Sequence, residues 1–268
     1  MDDEPETRAA SWASRLENAG PWLIGLATLV IWEAACRLLE VPRFVLPAPS
    51  AIWDSFWTWR GVIGMHAMQT LYTTVVGFAF AVVGGVLLGI GVGTSKALYK
   101  SLYPLLIGFN SVPKVAIVPI LVIWFGIGTV PAVISAFLLS FFPIVVNVAT
   151  GLATLEPELR DVLRSLGASR RDILLKVGLP RSLPYLFAAL KVAITLALVG
   201  SVIAETIGSN AGIGYLMLMA SGRFDVPLVF AGLFVVAIMG VAIYAMFAKL
   251  EARLTGWATR DVVYATGS

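Results

Sequence analysis

Residues 71–94 run from Leu71 to Thr94 without a single charged side chain. A helix of about 20 mostly apolar residues is long enough to cross the hydrocarbon of a bilayer, so this run constrains the fold more than any other feature of the sequence. Five further segments share its character, and six spans are predicted, at roughly 20–39, 71–94, 102–125, 130–154, 183–205 and 226–247. The third and fourth are separated only by Gly126-Ile127-Gly128-Thr129, and Pro131 suits the start of a new helix. Composition agrees. The chain is 59% hydrophobic and 13% charged, against about 25% charged in soluble domains, so it lacks the polar surface to face water all round. Disorder is excluded, because it requires low hydrophobicity, and the lone Cys36 excludes a disulfide scaffold. No nucleic-acid module or basic-aromatic tract is present. The expected fold class is an all-α integral membrane protein.

The first 19 residues carry Asp2, Asp3, Glu4, Glu6 and Glu17 against Arg8 and Arg15. A secretory leader has a positive start and a shorter apolar stretch, so the first span is expected to be retained. Positive residues favour the cytoplasmic side of short loops. With both termini inside, the inner segments hold thirteen of the 19 Lys and Arg residues, including Arg160, Arg164, Arg170, Arg171, Lys176 and Arg181. The outer segments hold only Arg43, Arg60 and Arg223, and Arg37, Lys114 and Lys191 fall within spans. This imbalance predicts six helices with both ends in the cytoplasm. The expected organisation is a cytoplasmic tail over 1–19, a transmembrane domain over 20–250 and a cytoplasmic tail over 251–268.

The inner loop, residues 156–182, is too long for a bare connection, which usually takes 2–8 residues. Leu159, Val162, Leu163 and Leu166 fall at i, i+3, i+4 and i+7, which places them on one helical face. Asp161 and Arg164 fall elsewhere. Gly167 has the place of a C-cap glycine. Ser169 and Asp172 resemble a capping box with Asp in place of Glu or Gln. A second helix is expected from Arg170, ended by Leu179-Pro180 before the fifth span. Two readings fit this pattern: an amphipathic helix lying on lipid, or a helix presented to the groove of a cytoplasmic partner.

Leu166-Gly167-Ala168-Ser169, nine residues from Gly167 to Val177, then Leu179-Pro180, resembles the EAA loop of permease subunits of type I ABC importers. Gly167, Val177, Leu179 and Pro180 match in register, whereas Asp161-Val162-Leu163 stands where the family has Glu-Ala-Ala. The resemblance extends over Ser111-Val112-Pro113-Lys114-Val115-Ala116-Ile117-Val118-Pro119, Trp124-Phe125-Gly126-Ile127-Gly128, Phe142-Pro143-Ile144, Asn147, Glu205-Thr206-Ile207-Gly208 and Gly212-Ile213-Gly214. These segments are similar to the branch serving nitrate, sulfonate, taurine or bicarbonate, with relatives that take riboflavin or pyrimidine vitamin precursors. The resemblance implies a permease homodimer in the inner membrane of a prokaryote. It implies two ATPase subunits gripping the loop at the cytoplasmic face and an extracytoplasmic binding protein that delivers a small-molecule substrate. ATP and Mg would be bound by the ATPase partners and no cofactor by this chain, which has no G-x-x-x-x-G-K-[ST] loop. ATPase coupling would then fall to Leu159, Asp161, Val162, Leu163, Leu166, Gly167, Ala168, Ser169, Leu179 and Pro180.

Within the spans, Gly77, Ala81, Gly85, Gly89 and Gly93 form a stripe of small residues four apart. Such a stripe marks a helix-packing seam, within one chain or between two. Charges inside a bilayer need a reason. Glu33 and Arg37, at i and i+4, are expected to pair. Lys191 is expected to snorkel to the interface. Lys114 lies between Pro104 and Pro119 in a span that also carries Asn110 and Ser111. Three roles are open to it: meeting an anion, pairing with Glu205, or capping carbonyls freed by proline. Asn110, Ser111, Lys114, Asn147 and Glu205 are the candidate lining of a translocation path. Ile213 to Met219 is too short to cross and reads as a re-entrant or interfacial helix. His66, expected just outside the second helix, is the only histidine. With Cys36 the only cysteine, neither a catalytic diad nor a metal site is expected. Most of the eight tryptophans fall near span ends, as aromatic belts do.

The expected function is that of a permease subunit in an ATP-driven importer of a small solute, an anion first and a vitamin precursor as the alternative. A self-sufficient channel or secondary transporter would leave the patterned loop without a role. An intramembrane enzyme would lack its catalytic residues.

Overall fold

In the computed structural model, residues 20, 23–153 and 157–255 are described, and every regular element among them is helical. The first helix, α1, covers 23–38. It is followed by α2 (Pro49–Gly93), α3 (Lys96–Ser111), a 3-10 turn at Lys114–Ile117, α4 (Val118–Phe125), α5 (Thr129–Ala153) and α6 (Pro157–Ser165). Then come α7 (Arg170–Ile173), a π turn at Leu174–Gly178, α8 (Leu179–Gly208), α9 (Ile213–Gly222) and α10 (Val226–Leu254). Of the tails expected at 1–19 and 251–268, residues 1–19 and 256–268 lie outside the described residues. Helix α10 carries Glu251 and Arg253, so the body extends into the segment expected as a tail.

Contacts divide the chain into two units, one reaching to Arg60 and including Met219–Ala231, the other comprising Gly61–Leu218 and the chain from Gly232. In the first, the predicted pair forms. The Arg37 Nε lies 2.6 Å from Glu33 Oε1, and Glu33 also accepts from the backbone N–H of Ser50 (3.0 Å) and from its hydroxyl (2.8 Å). Glu33 thus serves the first turn of α2, where backbone N–H groups have no intrahelical acceptor.

The second unit is built around α5. Its core joins Phe78 and Ala81 of α2, Ala136, Ile144, Val148 and Leu152 of α5, and Phe187, Ala193 and Ile194 of α8. The small-residue stripe of α2 faces α5 within the same chain. A β-carbon on Gly77 would stand 2.6 Å from Cβ of Ala136, one on Gly85 2.9 Å from Ile144, and one on Gly89 2.7 Å from Val148. On the α8 side of α5, a β-carbon on Gly200 would stand 2.7 Å from the carbonyl oxygen of Ser135. Absent side chains let the backbones approach, which in lipid, where tails are as apolar as leucine, is what drives association. The outward faces remain apolar, as at Phe80, Val83, Ile123 and Val241.

Among the described residues, four helices are long and apolar enough to cross a membrane: Pro49–Gly93, Thr129–Ala153, Arg171–Gly208 and Val226–Leu254. The expected span 102–125 is not one rod, since Ala97–Ser111 and Lys114–Phe125 meet at 72°. Val112 takes an extended conformation before Pro113, as a residue preceding proline does. Two further boundaries differ from expectation. Helix α2 begins 22 residues before the predicted span, because hydropathy marks where lipid begins and not where a helix does. His66 therefore lies inside α2, not outside it. Leu179-Pro180 also fails to end the second loop helix. The π turn carries the Leu179 N–H to the carbonyl of Leu174, and Pro180, lacking an N–H, sits in the opening turn of α8. Arg171 to Gly208 is one continuous helix.

Candidate functional site

The loop between α5 and α8 is held at both ends of its turn. Gly167 adopts φ +84, in the left-handed region that favours glycine. Its N–H donates to the carbonyl of Arg164 (2.9 Å), and that of Ala168 donates to Leu163 (3.0 Å). These two bonds form a Schellman cap, which satisfies carbonyls that the end of α6 would leave free. On the other side, the Asp172 N–H donates to Ser169 Oγ (3.1 Å), the N-cap half of a capping box. The other half differs from the usual pattern. The Ser169 hydroxyl itself donates to Asp172 Oδ2, since the Asp side chain is shorter than the usual Glu. Asp172 also pairs with Lys176 at 2.9 Å.

On α6, Val162 (55% exposed) and Leu166 (78% exposed) point away from the rest of the chain, while Leu159 and Leu163 are half-buried. Asp161 lies 4.0 Å from Arg164. Behind the loop, Ile173 and Gly178 are buried. A β-carbon on Gly178 would meet Leu152 of α5 at 3.4 Å. Leu179 and Pro180, half-buried, begin α8. The arrangement is a short amphipathic helix with an uncovered apolar edge, mounted rigidly on a long helix. It can dock into an apolar groove.

The candidate path residues separate into three places. Lys114 Nζ donates to the carbonyl of Asn110 (2.9 Å) and to its side-chain oxygen (3.0 Å), and lies 5.2 Å from the Phe142 ring centroid. Lys114 thus satisfies a carbonyl at the proline break, makes no ion pair with Glu205, and is only half-buried. The Ser111 hydroxyl donates to the carbonyl of Ile107. Asn147 donates to the carbonyl of Pro143 within α5 (2.8 Å).

Glu205 is elsewhere and is 1% exposed. Oε2 accepts from the Thr70 hydroxyl (2.8 Å) and the Gly214 N–H (3.1 Å), and Oε1 accepts from the Thr73 hydroxyl (3.2 Å). Thr70 Oγ1 also accepts from the Ile213 N–H (2.8 Å), and His66 Nδ1 accepts from the Gly212 N–H (3.0 Å). One turn along, Thr74 donates to Ser201 (3.1 Å). Three threonines and a histidine on one face of α2 thus meet α8 and the start of α9. This cluster was missed from sequence, although His66, Thr70, Thr73 and Thr74 already stood at helical spacing beside an apolar run.

Lys191 also finds a partner that was not anticipated. It lies 2.5 Å from Glu251 of α10, both side chains about four-fifths buried (20% and 23% exposed). Among the described residues no group of His, Cys, Asp and Glu is arranged to hold a metal ion.

Residues 81–256 match the family described as binding-protein-dependent transport system inner membrane component. The formylaminopyrimidine transport permease protein ThiX of Halalkalibacterium halodurans is 32% identical over 88% of this chain and 95% of its own length. The riboflavin transport system permease protein RibX of Chloroflexus aurantiacus is 32% identical over 85% of this chain and 86% of its own. The putative aliphatic sulfonates transport permease protein SsuC of Bacillus subtilis is 30% identical over 88% of each. In fold, the chain is similar to a solved structure of the MetNI methionine ABC transporter in an inward-facing conformation (TM-score 0.64, 20% identity, 74% of this chain and 98% of that one). The chain belongs to the family of binding-protein-dependent transport system inner membrane components, the membrane-embedded permeases of ABC importers.

Proposed function

We propose that this chain, paired with a second copy, forms the path by which a small solute delivered by an extracytoplasmic binding protein crosses a prokaryotic inner membrane. It has six spans and both termini in the cytoplasm, and transport proceeds by alternating access. Two ATPase subunits drive it through the α6–α7 loop. The observation that carries this is the uncovered apolar edge formed by Val162 of α6 and Leu166 of its turn, where α6 ends in a Schellman cap and the following α7 is continuous with α8 through the π turn. An edge lying on lipid would not need so rigid a mount. A groove-bound helix does, because ordering a mobile segment on binding costs affinity.

The solute is a small anion, such as nitrate, a sulfonate, taurine or bicarbonate. Relatives named for aliphatic sulfonates, taurine and nitrate support this, as does the cationic Lys114 at the break between α3 and α4. A heterocyclic vitamin precursor is the second reading, favoured by the two relatives at 32% identity, whose names specify formylaminopyrimidine and riboflavin.

The test is reconstitution of the permease in proteoliposomes with its ATPase and binding protein. The complex should accumulate one of these solutes only with ATP. Uphill transport by the permease alone would overturn the assignment. Lys114→Ala should reduce uptake if the solute is an anion that meets this ammonium, and unchanged uptake would remove Lys114 from the path.

A further inference from the structure

The Glu205 cluster belongs neither to the coupling loop nor to the α3–α4 break. It lies near the end of α8 opposite the loop, about 39 Å from Leu179 at 1.5 Å per residue. We propose that Glu205 is a positioning residue of the transport cycle. Its carboxylate joins the end of α8 to α2 and to the connector leading into α9, so that motion entering α8 from the loop arrives there as a displacement of one solid block. The proposal rests on the importer assignment above.

Three observations support it. First, the carboxylate has no free face. Its two oxygens take two hydroxyls and one backbone N–H, and the group is buried by its own chain, so a solute has nothing to meet. Second, the connector is held by side chains of α2: Thr70 takes the Ile213 N–H and His66 the Gly212 N–H. The Thr70 hydroxyl is a relay, accepting from the connector and donating to Glu205. Third, the backbone is pressed against the acid. Gly212 adopts φ +103, and a β-carbon there would run into the Glu205 carboxyl group. A β-carbon on Gly214 would stand 2.8 Å from Glu205 Cβ and collide with the carbonyl oxygen of Val202. The turn before α5 is tied to the same end of α8 by the Gly128 N–H, which donates to the carbonyl of Gly208 (2.9 Å). Polar groups buried this deeply must be paired, and an unpaired donor is costly.

The geometry separates a latch from a charge-dependent role. A glutamine can replace the carboxylate bond for bond. Its oxygen accepts from Gly214 and Thr70, and its amide donates to Thr73, whose hydroxyl turns to the carbonyl of Thr70 already 3.0 Å away. Alanine strands the Gly214 N–H and leaves the Thr70 and Thr73 hydroxyls only carbonyls of their own helix, His66 at 3.2 Å and Thr70 at 3.0 Å, so the carboxylate's link between α8, α2 and the connector is lost.

The experiment uses the whole complex, permease with ATPase and binding protein in proteoliposomes. It measures basal ATP hydrolysis, hydrolysis stimulated by loaded binding protein, and uptake. E205A should lose stimulation and uptake by about tenfold or more, with basal hydrolysis retained. E205Q, which keeps all three of these bonds, should stay within about twofold of wild type. If E205A does not accumulate, Thr70→Val should show the same loss while Thr70→Ser, which keeps the relay hydroxyl, stays near wild type. Normal stimulation in E205A or Thr70→Val, or equal damage in E205Q and E205A, would overturn the latch. A wild-type complex with no ATP-driven uptake would instead overturn the importer assignment.

Discussion

Replacing Gly167 tests the coupling loop at the one place where the backbone dictates the residue. Glycine is at φ +84 there, and a left-handed conformation costs an ordinary L-residue about 1–2 kcal/mol. Steric clash adds nothing, since an added β-carbon would have no neighbour within 4 Å. The cost is therefore conformational alone. Helix α6 has nine residues, too few to hold its shape in isolation, so it depends on the two cap bonds that Gly167 and Ala168 make to Arg164 and Leu163. Relaxing the turn breaks those bonds and disperses the apolar edge. A penalty of 1–2 kcal/mol lowers the fraction of properly formed loop about 5- to 30-fold, and the apparent affinity for the ATPase falls by the same factor. Titration of the ATPase onto solubilised permease should rank wild type above Gly167→Asn, then Gly167→Ala, with Gly167→Val weakest. Asparagine tolerates the left-handed region best among ordinary residues, and a β-branched side chain tolerates it least. Stimulated hydrolysis should follow the same order, and insertion into the membrane should not change. Leu163→Glu, which puts a charge on the half-buried part of the same apolar face and leaves the turn's backbone bonds in place, should abolish stimulation. Wild-type affinity in Gly167→Val, or equal damage from Asn and Val, would refute this account.

Two further outcomes follow from the packing. Gly89→Leu should destabilise the solubilised protein by about 1–3 kcal/mol by overpacking against Val148, whereas Gly91→Leu, two residues along where a β-carbon meets nothing within 4 Å, should leave the melting temperature unchanged. Lys191→Ala and Glu251→Ala should each cost on the order of 3 kcal/mol, because each strands a largely buried charge. The double variant, with no charge left to strand, should melt higher than either single one, and additive losses would show that the pair does not interact.

The apolar spans and the patterned loop were legible because both are local signals. An uncharged run states its own solvent, and the Leu159–Leu166 periodicity, Gly167 and Ser169 act within a turn or two of themselves. The Glu33–Arg37 pair was readable for the same reason, as its partners are four residues apart. Where helices end was less legible. Proline at Leu179-Pro180 reads as a stop, but a π turn changes the hydrogen-bond register and lets the helix pass.

Partners distant in sequence could not be read. Lys191 and Glu251 stand 60 positions apart, and Glu205 and Thr70 stand 135 apart. Nothing in either segment specifies the other. Sequence alone established that this chain lives in lipid and carries a capped, amphipathic helix between two of its long helices, because hydrophobic free energy and helix capping are properties of short stretches. Only the folded chain decided that the glycine stripe of α2 packs on its own α5 and that Glu205 closes a buried knot, because both depend on which helix faces arrive opposite one another.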